Sequence, residues 1–134
     1  MLKLTVCLIF LATNLQASEL LDLINKERKT RGLSQLKEKI ELACAASKHC
    51  LDIGSRKVCT HTGRDGSNPG KRIEGCGYRP MGWGEIVACG QRTPQEAVRA
   101  WVKSPPHSAI MFSKSYAYFG GDMSQNYWTV VFSR

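Results

Sequence analysis

Three polar residues occupy positions where chemistry could take place. His61 opens a loop that contains two glycines, Glu85 ends the run Gly82-Trp83-Gly84-Glu85, and His107 follows two prolines. Each lies at a predicted junction between a regular element and a loop, where functional side chains concentrate. Two imidazoles and a carboxylate could hold zinc and leave one position open for water. Isolated histidines and glutamates in loops are also common as hydrogen-bonded structural groups, so spacing alone leaves both interpretations open.

A hydrolase built on these residues is chemically coherent. His61 and His107 would hold zinc, which lowers the pKa of its bound water, and Glu85 would take the proton as general base. The chain has no His-Glu-x-x-His motif that would support a zinc peptidase. Ser104 or Ser108 could act as a nucleophile paired with His107, but residues so close in sequence need not face one another.

The six cysteines indicate disulfides formed in an oxidising compartment. Cys7 lies in the N-terminal segment, and five remain beyond it: Cys44, Cys50, Cys59, Cys76 and Cys89. We expect Cys76 to pair with Cys89 and Cys50 with Cys59, because each pair flanks a short, turn-rich segment. Cys44 would then be a buried small hydrophobe. Because five is odd, at least one thiol stays free or pairs with another chain.

The first 17 residues have the layout of a cleavable secretory signal. Lys3 gives a basic start, residues 4–12 are apolar, and cleavage is expected after the small residue Ala17. The apolar run is too short to cross a bilayer, which takes roughly 20 apolar residues. The alternative is an N-terminal core helix, whose pattern Thr13 and Asn14 interrupt. Residues 18–134 are expected to form one domain that is secreted, either extracellular or periplasmic.

The charge balance favours anionic partners. The chain carries 19 basic and 11 acidic side chains, a net charge of +8. A basic exported protein is drawn to phospholipid headgroups or cell-wall polymers. The basic residues are scattered and form no stripe with aromatic residues, so specific nucleic-acid binding is not expected. We expect a monomer that does not span the membrane and that binds lipid, glycan or an extracellular protein.

The elements that would position these residues follow from apolar periodicity and capping residues. The predicted helices run from Ser18 to Gly32 and from Ile40 through Leu51 to a stop at Gly54. A short helix is predicted to start at Asn68-Pro69. A further helix is predicted from Pro94 to Lys103, with Thr93 as its cap and Pro105-Pro106 as its stop. The strands are predicted at residues 116–123 and 127–133. His49 is expected to be exposed on the second helix and has no assigned role. Helices packed on an antiparallel sheet give an α+β fold or a layered α-β-α sandwich.

Several motifs follow one another in a fixed order along the chain. The longest is Cys59-Thr60-His61-Thr62-Gly63-Arg64-Asp65-Gly66-Ser67-Asn68-Pro69-Gly70-Lys71-Arg72-Ile73, and it precedes Gly75-Cys76-Gly77-Tyr78, Gly84-Glu85, Ser104-Pro105-Pro106-His107 and Tyr127-Trp128-Thr129-Val130-Val131-Phe132. This order resembles short bacterial members of the CAP superfamily, the SCP-like extracellular domains that include cysteine-rich secretory, antigen 5 and pathogenesis-related proteins. The resemblance covers residues 18–134 and implies a three-layer α-β-α sandwich with a small antiparallel sheet.

The resemblance also implies a cleft that holds two histidines and two acids. His61 matches the first histidine, Glu85 matches the acid of a Gly-Glu-Asn-Ile block, and His107 lies where the short bacterial members carry a histidine. Tyr127 falls at the position of the second histidine.

Three further positions depart from the family pattern, with Ile86 and Ile110 in place of Asn and Pro106 in place of Gly. We therefore expect a secreted binding module with a ligand cleft near His61, Glu85, His107 and Tyr127. The alternative is a metal-dependent extracellular hydrolase, a peptidase or wall-acting enzyme, with zinc on His61 and His107.

Overall fold

The computed structural model describes the backbone of residues 2–134 and the side chains of residues 15–134. The elements, in chain order, are α1 (Leu2–Thr30), β1 (Lys37–Glu38), α2 (Ile40–Arg56), α3 (Pro69–Gly75), β2 (Trp83–Cys89), α4 (Pro94–Lys103), α5 (Pro105–Met111), β3 (Tyr118–Ser124) and β4 (Tyr127–Ser133). The four strands form one sheet in the order β1-β3-β4-β2. The predicted α+β class is confirmed.

Helices cover both faces of the sheet, as the predicted sandwich requires. Helices α1, α4 and α5 pack on one face around a large core that includes Leu20, Trp101 and Trp128. Helices α2 and α3 pack on the other face around a smaller core that includes Leu42 and Val131. The sheet is mixed and not purely antiparallel, because the short β1 runs parallel to β3 while β2, β4 and β3 alternate in direction.

The first helix differs from its prediction at the N-terminal end. Helix α1 is continuous through Ser18, so Ser18 does not cap it. Gly32 ends the helix as predicted, with a φ of 70° and its amide bonded to the Lys29 carbonyl. The predicted secretory signal lies mostly on residues 1–14, outside the residues whose side chains are described, and it stays a prediction. Within the described residues, no helix is both long enough and apolar enough to cross a membrane.

Prolines and glycines explain two further differences. Gly54 does not end α2 but lies inside it; the helix runs to Arg56, and Lys57 caps it in the left-handed region. A Cβ on Gly54 would lie 2.8 Å from the Ser124 carbonyl oxygen, so the glycine allows close packing of α2 against β3. Pro105 does not end the helical region. It begins α5, because proline fits the first turn of a helix, where its missing amide hydrogen is not needed. The predicted cap of α4 is confirmed, since Thr93 Oγ1 accepts from the Glu96 amide.

The disulfide prediction was wrong. The bonds join Cys44 to Cys76 and Cys59 to Cys89, each with a Cα separation of 6.1 Å, and Cys50 is a buried free cysteine. Flanking turns do not decide the pairing, because the fold places α2 beside α3 and brings the segment after α2 to the end of β2. Cys50 points into the interior, where burial raises the pKa of its thiol.

Helix α2 approaches the sheet closely at Gly120 on β3. A Cβ at this position would overlap the backbone of Leu42 and Ala43. Alanines on the inner side of α2, at positions 45 and 46, are fully buried and permit the same approach. The face that carries α2 therefore depends on small residues on both partners.

Gly120→Ala tests this close approach. The added methyl meets helix backbone, which no rotamer change can relieve, so the free energy of unfolding should fall by about 3 kcal/mol or more. Gly75→Ala is the matched control, because a Cβ there meets no atom of the described residues within 4 Å. Denaturant unfolding of both variants measures the difference. Equal, small losses would contradict the packing described here.

Candidate functional site

The site is built around Glu85 on the central part of β2. Glu85 pairs with Val131 of β4, and its side chain is only 1% exposed. Side chains alternate along a strand, so Ile86 enters the large core on one face while Glu85 points to the α2 and α3 face. A carboxylate at this depth needs partners for both oxygens, because burying a charge without partners is costly.

Three side chains surround the Glu85 carboxylate. His61 Nδ1 lies 2.8 Å from Oε1, Arg72 Nη2 lies 2.9 Å from Oε2, and His49 Nε2 lies 3.7 Å from Oε1. These four residues are named the Glu85 cluster. Both carboxylate oxygens are thus engaged by donors from other parts of the chain.

Arg72 fixes the loop that carries His61. Its side chain is 7% exposed, and Nη2 also donates to the His61 carbonyl at 3.0 Å. Nη1 donates to the Ser67 carbonyl at 2.9 Å. The short helix α3 that presents Arg72 starts at Asn68-Pro69 as predicted. Asn68 is its N-cap, and the Asn68 side chain accepts from the Lys71 amide. One guanidinium therefore holds both ends of the loop and the carboxylate beneath it.

His49 corrects the expectation that it would be exposed and without a role. The residue is fully buried on α2, and its Nε2 donates to the Thr60 carbonyl at 2.7 Å. Burial lowers the pKa of His49, against the opposing effect of the Glu85 carboxylate. The sequence did contain a signal, because Leu42, Ala46, His49 and Ile53 recur at the spacing of one helix face.

His61 has one engaged nitrogen and one available nitrogen. A carboxylate oxygen only accepts, so Nδ1 carries the hydrogen that is donated to Glu85. The side chain is 56% exposed, and Nε2 is left for contacts outside the cluster. Glu85 therefore sets the ring orientation and the tautomer of His61.

His107 lies on α5, and its contacts differ from those of His61. Burial lowers the pKa of His107, and its Coulombic interaction with His61 lowers it further. His107 Nδ1 lies 2.8 Å from Ser104 Oγ, next to the start of α5. Ser108 does not face this imidazole, because its hydroxyl donates to the Pro105 carbonyl. Arg28 holds the other end of α5 through the Met111 carbonyl.

Tyr127 and Ile86 do not join the Glu85 cluster. Tyr127 pairs with Cys89, four residues along β4 from the Val131 that faces Glu85, or about 13 Å along the strand. Ile86 lies in the large core, on the opposite face of β2 from Glu85. The isoleucine at position 86 therefore removes no polar group from the Glu85 side of the sheet.

The donor set does not fit a catalytic zinc ion. The Nδ1 atoms of His61 and His107 are both engaged, so these two residues offer only their Nε2 atoms to a metal. Catalytic zinc takes three protein ligands. Among the residues whose side chains are described, no group of three His, Cys, Asp or Glu residues could hold a metal ion. The Glu85 oxygens are already paired, so we derive no step through a metal.

The sequence matches one protein family and one bacterial relative. The model of the CAP family, the cysteine-rich secretory protein family, matches residues 21–132. The Bacillus subtilis (strain 168) protein YkwD is 27% identical over 102 residues, which span 76% of this chain and 40% of YkwD. This chain therefore covers less than half the length of that relative.

Two solved structures share the fold. An extracellular protein containing an SCP domain from Bacillus anthracis str. Ames matches with a TM-score of 0.88 and 20% identity, over 91% of this chain and 41% of that one. An outer surface protein from Borrelia burgdorferi matches with a TM-score of 0.79 and 25% identity, over 87% of this chain and 90% of that one.

Glu85→Gln tests the buried cluster. Removing the charge leaves Arg72 buried without its ionic partner, which should lower the free energy of unfolding by about 3 kcal/mol or more. Glu27→Gln is the matched control, because Glu27 pairs with Arg31 at 2.8 Å in a contact that is more than one-third exposed. Loss of such a surface pair should cost less than about 1 kcal/mol. Similar losses in both variants, measured by urea unfolding, would refute the role given to Glu85.

Proposed function

The chain belongs to the cysteine-rich secretory protein (CAP) family, and on this basis we propose that it is a secreted binding module that holds a glycan at the exposed edge of the Glu85 cluster. The two matched structures are described as extracellular and outer-surface proteins. The disulfides Cys44–Cys76 and Cys59–Cys89 support export as well, because disulfides persist in oxidising compartments.

The observation that carries this proposal is the double engagement of Glu85. Its two oxygens accept from His61 and Arg72, and its side chain is 1% exposed. A general base must have a free oxygen within reach of the proton it removes. Glu85 acts instead as a positioning residue, which turns the His61 Nε2 lone pair outward to accept a hydrogen bond from a ligand.

The neighbouring surface favours a sugar over a lipid chain. Trp83 precedes Glu85 by two residues on β2, so both side chains are on the same face, about 7 Å apart along the strand. Trp83 is 40% exposed and offers an apolar ring surface on the same face of β2 as Glu85. Sugars present apolar ring faces and hydroxyl groups together, and this combination matches an indole next to hydrogen-bonding nitrogens.

The alternative function is a metal-dependent hydrolase. The available Nε2 atoms of His61 and His107 are the observation in its favour, since imidazole nitrogens are good zinc ligands. It lacks a third protein ligand among the described residues and an unpaired carboxylate to act as base. The binding module requires neither.

Glycan binding is tested on an array of immobilised bacterial and host oligosaccharides, followed by calorimetric titration of the best-bound soluble oligosaccharide. His61→Ala should weaken its affinity by about tenfold, the equivalent of one good hydrogen bond, and Trp83→Ala should also weaken it. Gln95→Ala, an exposed position on α4, should leave the affinity unchanged.

Three results would contradict the proposal. One is the absence of saturable glycan binding, and the second is binding only to phospholipid vesicles. The third is cleavage of the bound oligosaccharide with zinc present, detected by mass spectrometry, which would establish the hydrolase instead.

A further inference from the structure

A polar pocket lies beside the Glu85 carboxylate, between α2, the loop of residues 61–68 and α3. It has a volume of about 320 Å³ and is lined by Lys48, His49, Asp52, Arg64, Asp65, Ser67 and Arg72. A smaller pocket of about 260 Å³ adjoins it and shares four of these residues, while adding Lys71 and Gly75. Together they are named the α2–α3 pocket. Arg72 separates it from the Glu85 carboxylate.

Hydrogen bonds hold the walls of this pocket in place. The Arg64 amide donates to Asp52 Oδ2 at 2.9 Å, which fixes the loop to α2. Arg72 Nη1 donates to the Ser67 carbonyl, which fixes the loop to α3, and the Ser67 amide donates to Asp65 Oδ1. The shape therefore exists without a ligand, which reduces the entropic cost of binding one.

The charge of the pocket is positive once its internal pairs are set aside. Arg56 lowers the pKa of Asp52 to about 2 and keeps that carboxylate paired at 2.7 Å. Arg72 is paired with Glu85. Among the described residues, neither Lys48 nor Lys71 lies within 4 Å of a carboxylate, and Arg64 reaches Asp52 only at 3.8 Å. Asp65 is the opposing carboxylate, so three cationic side chains face one anionic side chain.

A buried donor on the same wall also has no partner. Arg72 Nε is inaccessible to solvent and makes no hydrogen bond with any described residue, although the other guanidinium nitrogens are all engaged. Buried donors without partners are rare in folded proteins and call for an explanation. An anion in the pocket that Arg72 lines would reach this donor after a small shift of the guanidinium.

We propose that the α2–α3 pocket binds a dianionic phosphate group, either as free phosphate or as a phosphate monoester. Two excess positive charges match a phosphate monoester, which carries a charge close to −2 at neutral pH. Lys48 and Lys71 supply mobile ammonium groups from opposite helices, and Arg72 forms the fixed wall between them. The buried His49 Nδ1 lies on the inner side without a partner among the described residues. It can accept only from the hydroxyl of hydrogen phosphate, because a phosphate monoester dianion has no protonated oxygen. This site is separate from the glycan site and does not depend on it.

The test is calorimetric and NMR titration of the full chain with inorganic phosphate and with methyl phosphate. Saturable binding of either is expected, and the paired variant Lys48→Gln with Lys71→Gln should weaken it by about tenfold or more. Both lysines are exposed, so the fold should persist, and circular dichroism checks this. The control pair is Lys26→Gln with Lys29→Gln, which removes the same charge from exposed positions on α1.

Each outcome has a definite meaning. Tighter binding of methyl phosphate assigns the pocket to esterified phosphate, and binding of inorganic phosphate alone assigns it to the free ion; both support the proposal. The absence of saturation at tens of millimolar phosphate overturns it. An equal loss of affinity in the control pair also overturns it, because binding would then depend on net charge and not on this pocket.

Discussion

A carboxylate buried inside a sheet-and-helix sandwich must be matched by donors before the strand that carries it can pack. Glu85 sets this requirement here, and it is met from two directions: His61 on the loop after α2 and Arg72 on α3. The desolvation of an ion amounts to several kcal/mol, so both donors must be in place in the native state. The loop of residues 61–68 is ordered for this reason, and its ordering shapes the surfaces on both sides of Arg72.

Those two surfaces share one wall but differ in chemistry. On the Glu85 side, the exposed imidazole of His61 lies over the buried carboxylate, and Trp83 is exposed on the same strand as Glu85. On the α2–α3 side, lysines and an arginine face a preformed concavity. Arg72 is the common element, since it pairs with Glu85, carries the loop and lines the α2–α3 pocket. A substitution in the Glu85 cluster that moves Arg72 should therefore alter both surfaces, because both depend on this guanidinium.

Local sequence signals predicted the features that depend on local chemistry. Gly32 ends α1, Thr93 caps α4, and two of the three residues that the motif order grouped, His61 and Glu85, are in contact. Strand β2 was missed because it is buried on both faces, so it lacks the alternation that marks a half-exposed strand. Helix α5 was missed because Pro105 was interpreted only as a stop. The disulfide partners and the role of Arg72 are set by the packing of α2 against α3, which no local pattern reports.

The central claim is that Glu85 fixes the ring of His61, and the protonation state of that ring tests it most directly. Long-range ¹H–¹⁵N NMR of histidine-labelled protein, at a pH where the imidazoles are neutral, identifies which ring nitrogen carries the hydrogen. The account predicts that His61 carries it on Nδ1, with Nε2 unprotonated. A hydrogen on Nε2, or rapid averaging between the two tautomers, would contradict the account.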